Sequence, residues 1–509
     1  MTSMKLMMQI LFHCANVRAA ATGKPNIVFI VADDLGWNDV SFHGSNQIPT
    51  PAIDELAKDG VMLNNYYVQP ICTPTRSCFM TGRYPIHTGM QSGVIMGQNP
   101  YGLGLDEKLL PQYLKQLGYA THGIGKWHLG FFEVEYTPTY RGFDSYFGYW
   151  TGKEDYYTHI DDEGHGYIGY DLRDNMEVAE NYNGSYNTEL FTRKAIDVIA
   201  KQDPNQPFFL YFAHEAVHSA NPSDPLQAPQ HIIDQFKHIE NKQRQIFAAM
   251  VTSLDQSVQN ITSALKIHRL WNNTIVVFTT DNGGPAYFDL NIANNLPLRG
   301  RKAQLWEGGV RGSACIYSPL IENRRVSMDM MHATDWLPTF VHLAGGDANE
   351  MKQKDKALDG YNVWETISKG IPSPRNEVLH NIVGKEGALR VGDYKLLVHV
   401  HNSSWYPLPT ASISSSGEGI VSCHRSANAT ECHSEMSPCL YNIHLDPCEY
   451  NNVAAMMPSK VQELMEKLKD YNATAVPPRN KPVDPQSNPK LHNGVWSPWR
   501  TNGTIDVEA

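Results

Sequence analysis

Two apolar runs of this sequence each close on a pair of oxygen-bearing side chains. Asp33 and Asp34 end "NIVFIVADD", and Asp281 and Asn282 stand near the end of "TIVVFTTDNGG". Carboxylates and an amide, with no histidine or thiolate among them, suit a hard cation. Calcium fits better than magnesium, because it accepts a protein cage made wholly of oxygens. An aspartate between a strand and a helix also serves as an N-cap, but a pair on each of two buried strands favours the cation. "GYATHGIGKWHLG" adds Lys126 and His128, "FFLYFAHEAVH" ends on His218, and "LPLRGRKAQLWEGGVRG" sets Lys302 in a glycine-punctuated loop. As a set they bring cations and proton donors to a metal, which is what a tetrahedral oxyanion requires. In "YVQPICTPTRSCFMTGRYP", Cys72 stands two residues before Pro74 and four before Arg76, with Cys78 beyond.

These residues lie far apart in sequence, so the fold must gather them. Three continuous apolar runs, over 26–34, 208–218 and 274–284, read as strands covered on both faces. Helical patterns such as "LLPQYLKQLGYATHG" and "IFAAMVTSLDQSVQNITSALKI" fall between them, which implies an α/β sheet with helices on both sides. Ligands of such sheets gather at the carboxyl ends of the strands, so the polar residues ending the three runs are expected to converge. From about residue 370 the pattern changes. "ALRVGDYKLLVHV" alternates like an antiparallel strand pair, a Ser- and Cys-containing loop follows over 412–439, and "KVQELMEKLKDYN" reads as a helix. We expect a catalytic domain over 22–370 and a smaller α+β subdomain over 371–509. The Pro- and Asn-rich tail after Val476 is expected to run over the surface as irregular chain.

The chain has 509 residues and a formal net charge of −11, which argues against a nucleic-acid-binding face. Its 21 histidines make surface charge sensitive to mildly acidic pH. No run reaches the length of a membrane span. "MTSMKLMMQILFHCANVRAAA" reads as a signal peptide over 1–21. Sequons at Asn183, Asn260, Asn272, Asn402, Asn428, Asn472 and Asn502 agree with a secretory route. Cys14 would leave with the signal. Cys423, Cys432, Cys439 and Cys448 are expected to form two disulfides of open pairing. Cys315 and Cys78 read as small buried hydrophobes.

"CTPTRSCFMTGR" resembles the Cys-x-Pro-x-Arg signature of the type I sulfatases, and "GYATHGIGKWHLG" resembles their second signature. "RGFDSYFGYWTGKEDYY", "RGRKAQLWEGGVRG", "DWLPTF" and "NGVWSPW" look like the arylsulfatase B branch, which includes N-acetylgalactosamine-4-sulfatases. The resemblance implies a large, mixed, mostly parallel sheet flanked by helices, like that of alkaline phosphatase, with an antiparallel sheet in the C-terminal subdomain. It also implies that a formylglycine-generating enzyme oxidises Cys72 to Cα-formylglycine during secretion. Asp33, Asp34, Asp281 and Asn282, with residue 72 beside them, would hold one Ca2+. Arg76 would orient the hydrated aldehyde, and Lys126 and Lys302 would neutralise sulfate oxygens. His128 would take a proton during elimination, and a cationic His218, with Lys302, would protonate the leaving alcohol at mildly acidic pH. The expected substrate is a sulfated sugar or aryl sulfate, and the expected residence is lysosomal or extracellular.

Two other readings use the same residues. One is phosphate or phosphonate ester hydrolysis on the same architecture, although a two-zinc site needs more histidine and aspartate ligands than the sequence places. The other is a non-catalytic glycoprotein that binds sulfated sugars, which would have no need of Cys72. The loops "MQSGVIMGQNPYGLGLDEK" and "THIDDEGHGYIGYDLRD" lack the cysteines of the B-type enzymes, so the resemblance carries the chemistry further than the sugar specificity.

Overall fold

A computed structural model describes residues 23–351, 356–407, 421–423, 425, 431–434 and 436–501. The signal segment, Cys14, the sequons at Asn428 and Asn502 and most of the 412–439 loop lie outside the described residues.

Ten strands form the main sheet: β1 (Asn26–Ala32), β2 (Val61–Leu63), β3 (Ala120–Lys126), β4 (Ser145–Tyr149), β5 (Arg173–Asp174), β6 (Glu177–Val178), β7 (Phe208–Ala213), β8 (Thr274–Thr280), β9 (Ala314–Tyr317) and β10 (Arg325–Ser327). Their order is β10-β2-β9-β8-β1-β7-β3-β4-β5-β6. The central strands β8, β1, β7, β3 and β4 are parallel. Antiparallel β9 and the β5–β6 hairpin extend the two sides. Every residue of β1, β7 and β8 is buried, as their unbroken apolar runs require.

Alternate residues of β1 serve opposite layers. Val28 and Ile30 pack with α1 (Pro51–Asp59), α4 (Asn187–Ala200) and α5 (Lys242–Ile267). Ile27, Phe29 and Val31 pack with α2 (Cys72–Thr81), α3 (Leu110–Gln116) and α6 (Trp336–Leu343). Each such buried side chain contributes about 1.5–3 kcal/mol over its exposed state.

The helix in "LLPQYLKQLGYATHG" is shorter than the sequence suggests. Helix α3 stops at Gln116, and "ATHGIGK" is the strand β3. Gly118, at a φ of 87°, breaks the helix, and parallel neighbours β7 and β4 hold a glycine-rich segment that has little strand propensity of its own.

The C-terminal sheet is antiparallel: β11 (Glu377–Val383), β12 (Glu386–Val391), β13 (Tyr394–Val398) and β14 (Cys439–Asn442). Helix α7 (Pro458–Ala473) covers it through Leu464 and Leu468. Disulfides join Cys423 to Cys448 and Cys432 to Cys439, and Cys78 and Cys315 are buried thiols. This sheet is bolted to the loop after Lys302. Buried Lys395 bonds Glu307 at 2.8 Å and Glu449 at 2.9 Å, and Tyr67 donates to Glu307 at 2.8 Å. Most of the tail runs over the surface as expected, but Trp496 is fully buried, and its backbone N–H donates to the Tyr170 carbonyl at 3.0 Å.

Candidate active site

The carboxyl ends of four adjacent parallel strands, β8, β1, β7 and β3, carry Asp281 and Asn282, Asp33 and Asp34, the His218 segment, and Lys126. Sheet pairing continues past the formal strand ends. Asp281 N–H donates to the Ala32 carbonyl at 3.1 Å, Asp33 N–H to Ala216 at 3.0 Å, and Val217 N–H to Asp33 at 2.6 Å. The chain from β7 to His218 therefore runs alongside Asp33 and delivers the imidazole to Asp34. Asp34 and His128 hold left-handed backbones, with φ of 62° and 58°. Side chains other than glycine rarely adopt this conformation, and it aims both residues across the strand ends.

Helix α2 explains the spacing of Cys72 and Arg76. Ile71 is extended, Cys72 opens the helix, and Pro74 lies in the first turn, where no intrahelical N–H is needed. Residues four apart share a helix face, so Cys72 and Arg76 both look onto the strand ends. The helix also points its positive end at the site.

All ten residues singled out in the sequence are buried here. Arg76 bonds Asp281 Oδ2 from Nε at 3.1 Å and from Nη2 at 2.9 Å, and Nη2 also reaches Asp33 at 3.2 Å. Lys126 Nζ donates to Asp33 Oδ2 at 2.5 Å. Lys302 Nζ lies 2.8 Å from Asp34 Oδ2 and 3.0 Å from His218 Nε2. Asn282 Nδ2 donates to Asp34 Oδ1 at 2.7 Å. The Cys72 thiol sits 3.6 Å from Asp33 Oδ1.

Potential ligand atoms of Asp33, Asp34, Cys72 and His218 all fall within 4.8 Å of one another. Asp281 stands behind them with Oδ2 held by Arg76, and the buried Asn282 Oδ1 has no hydrogen-bond partner. Three carboxylates face three cations in this cluster. A divalent ion would leave a net positive site, suited to an anion, and would give the orphaned amide oxygen a partner. The residues present fit a hard cation.

Electrostatics separate the roles. Burial alone would raise Asp33, but Lys126, His218, Arg76 and Lys302 outweigh it and hold the carboxyl well below its usual range. Burial raises Asp34 to about 6 against the pull of Lys302, and burial with Asp33 raises Asp281 to about 6. Burial and Asp33 push the Cys72 thiol well up, the reverse of what a thiolate nucleophile requires. Burial and Lys302 lower His218 to about 3, so it is neutral, whereas Asp34 and Asp289 help to keep Lys302 protonated against burial. Burial and Lys126 lower His128 well below its usual value. Its Nε2 pairs with the Ile95 carbonyl at 3.0 Å, which leaves Nδ1 as a buried lone pair without a partner. The ring fits because residue 152 is glycine: a Cβ there would come within 2.9 Å of the imidazole.

Asp289 was not legible in the sequence. Its Oδ2 lies 3.1 Å from Lys302 Nζ and 3.8 Å from His218 Nε2, at the mouth of the site and 45% exposed. The one signal for it is an acid in the turn-rich segment between Asn282 and Lys302.

Beneath the site, Glu154 and Glu215 share the amide of Asn187, and Glu154 N–H donates to Glu215 Oε1 at 2.7 Å. Burial first, and then neighbouring acids, raise both carboxyls well above 4.5. The folded protein therefore keeps protons that the unfolded chain sheds as pH rises above its ordinary glutamate value, so these groups favour folding less with increasing pH. Glu154→Gln should remove that penalty. The melting temperature of the variant relative to wild type is expected to be a few degrees more favourable at pH 7.5 than at pH 4.5; an equal difference at both pH values would contradict the protonated pair.

The family model described as Sulfatase matches residues 25–346. Arylsulfatase J of Mus musculus is 43% identical over 503 residues, covering 94% of this chain and 81% of that protein. N-acetylgalactosamine-6-sulfatase of Mus musculus is 29% identical over 468 residues, covering 88% and 85%. The crystal structure of Ps i-CgsB in complex with k-i-k-neocarrahexaose superposes with a TM-score of 0.73 at 28% identity, covering 92% of this chain and 98% of that one.

Proposed function

The chain belongs to the sulfatase family of sulfuric ester hydrolases, and from that premise we propose that it cleaves a sulfated sugar with Cα-formylglycine at position 72 and one calcium ion. The observation that carries this reading is Cys72 itself. It is a buried, thiolate-disfavouring residue at a helix N-terminus, set among three carboxylates and three cations.

Asp33, Asp34, Asp281 and Asn282, with residue 72, would hold the calcium, which when bound polarises sulfate oxygens and lowers the pKa of the attacking hydroxyl. The hydrated aldehyde offers two hydroxyls on one carbon: one gives its proton to a neighbouring carboxylate and bonds to sulfur as the ester S–O bond breaks, and loss of the proton from the other re-forms the carbonyl, breaks the bond from that carbon to the sulfated oxygen and expels sulfate. Arg76, pinned by Asp33 and Asp281, orients residue 72 from one helical turn away. Lys126 and Lys302 counter the charge on the sulfate oxygens. His128 takes the proton of the second hydroxyl at its unpartnered Nδ1.

The leaving alcohol needs a proton, and burial keeps His218 neutral. The acid is therefore the Lys302–His218 pair rather than a standing imidazolium: Lys302 holds the proton 3.0 Å from Nε2, and His218 passes it to the ester oxygen. His218 Nδ1 is fixed as a donor to the Ser219 carbonyl at 2.6 Å, which leaves Nε2 for this transfer.

A sulfated sugar is favoured because one relative is named for N-acetylgalactosamine-6-sulfate chemistry and a structural neighbour holds a neocarrahexaose. The motifs of "TGKEDYY" and "NGVWSPW" favour an arylsulfatase B-like branch, and N-acetylgalactosamine 4-sulfate in chondroitin or dermatan sulfate as substrate. The signal-like N-terminus and the sequons support secretion, maturation by a formylglycine-generating enzyme, and a lysosomal or extracellular residence. No helix among the described residues is long and apolar enough to cross a membrane. The division at about residue 370 is our proposed boundary between catalytic domain and C-terminal subdomain.

Matched aryl sulfate and aryl phosphate esters test the reaction class. Release of sulfate should dominate, and release of phosphate alone would contradict the proposal. A sulfate monoester carries one negative charge, whereas a phosphate monoester approaches two at neutral pH. Asp289, beside Lys302, disfavours the second charge. Asp289→Asn should narrow the sulfate-over-phosphate ratio of kcat/KM by roughly tenfold, and an unchanged ratio would exclude that role for its charge.

A further inference from the structure

Beside the catalytic cluster a cavity of about 170 Å³ opens against Lys302, and Phe288, Arg301, Gln304, Glu386 and His401 line it as well. Its components come from the loop after Asn282, the Lys302 loop and the C-terminal sheet. Arg301 is fixed in the wall. Its Nη1 donates to the carbonyls of Ala286 at 3.0 Å and Tyr287 at 2.9 Å. Its guanidinium stacks over Phe288 at 5.1 Å and over Tyr406 at 4.7 Å. A guanidinium immobilised in this way presents its remaining N–H groups with little entropy left to lose. Phe288 and Tyr287 expose 39% and 48% of their surfaces, so apolar ring faces border a cationic wall.

The polar atoms are equally specific. Gln304 Oε1 accepts from Ser403 Oγ at 2.6 Å, which turns its amide N–H groups to donor duty. Glu386 supplies an acceptor, and burial raises its carboxyl against the pull of His401. Lys302 is already paired with Asp34 and Asp289, so Arg301 is the cation of the lining that offers its charge to a ligand. Ring faces suit the apolar face of a pyranose, Arg301 and Gln304 suit an anionic oxygen, and Glu386 suits a sugar hydroxyl.

We propose that this cavity is a subsite for a sugar unit bearing its own anionic group, joined to the unit whose sulfate is removed. The inference rests on the sulfatase reading above and deepens it: the substrate is an anionic oligosaccharide rather than an isolated aryl or monosaccharide sulfate. The group that Arg301 recognises is a carboxylate or a second sulfate, two sources with the same oxyanion chemistry.

Four substrates with one scissile sulfate test it: a small aryl sulfate, and three disaccharides whose neighbouring sugar is neutral, carboxylated or sulfated. Arg301→Gln should lower kcat/KM on the anionic disaccharides about tenfold more than on the neutral disaccharide or the aryl sulfate, chiefly through KM. Glu386→Gln, which removes a negative charge, should move the anionic disaccharides the other way, by a few-fold. A selective loss on only the carboxylated or only the sulfated disaccharide supports the subsite and identifies the source. Equal losses on all four substrates with Arg301→Gln, or no response from Glu386→Gln, overturn the subsite alone. A wild-type protein that releases no sulfate from any of the four overturns the sulfatase reading and the subsite with it.

Discussion

Cys72→Ser should fold normally and lose steady-state sulfate release by at least ~10³–10⁴-fold, the scale seen when a nucleophile is removed from an otherwise intact site. The residue is 1% exposed, and serine adds no volume, so packing in helix α2 is preserved. Chemistry is lost for a different reason. A serine hydroxyl attacking sulfur would form an ordinary sulfate ester, with no second hydroxyl on the same carbon to expel it. The variant is therefore expected to bind substrate and to retain sulfate covalently on residue 72 after one event. Intact-mass measurement after incubation with substrate would show that adduct, and turnover within tenfold of wild type would contradict the mechanism.

Lys302→Ala is the second large effect. One ammonium touches Asp34 at 2.8 Å, Asp289 at 3.1 Å and His218 at 3.0 Å, so its removal strikes sulfate binding and the proton path together. We expect kcat to fall by ~10²–10³-fold, the range for loss of one preorganised charge donor. The loss should be smaller for substrates whose leaving group needs no proton. An activated aryl sulfate should therefore lose less than an alkyl sulfate, and equal losses would remove Lys302 from the proton path. Asp34 would also be left buried with its main countercharge gone, so the variant is expected to melt below wild type.

The strand ends were legible because unbroken apolar runs mark strands covered on both faces, and these close on polar residues. The structure sets β8, β1 and β7 side by side, which brings Asp281, Asp33 and His218 together as the parallel-sheet rule requires. The Cys72, Pro74 and Arg76 element was legible through its spacing, but not that Cys72 itself opens helix α2. Lys126 was found through its motif and not through its element, since "ATHGIGK" becomes a strand only between its neighbours. Asp289 stayed hidden because a loop with left-handed Tyr287, Asp289 and Leu290 positions it, and no periodic pattern encodes such a loop. Trp496 was misplaced for a related reason: a Pro- and Asn-rich tail looks solvent-borne until its tryptophan finds the cleft beside Phe131. The neutral state of His218 follows from burial next to an ammonium, which no linear reading of "HEAVH" contains.

The most direct measurement is the mass of the residue-72 peptide from purified protein that is releasing sulfate, compared across preparations of differing specific activity. The account predicts an aldehyde or its hydrate in place of the thiol, in a fraction that rises in proportion to activity. Full activity from protein whose residue 72 is entirely thiol would contradict it.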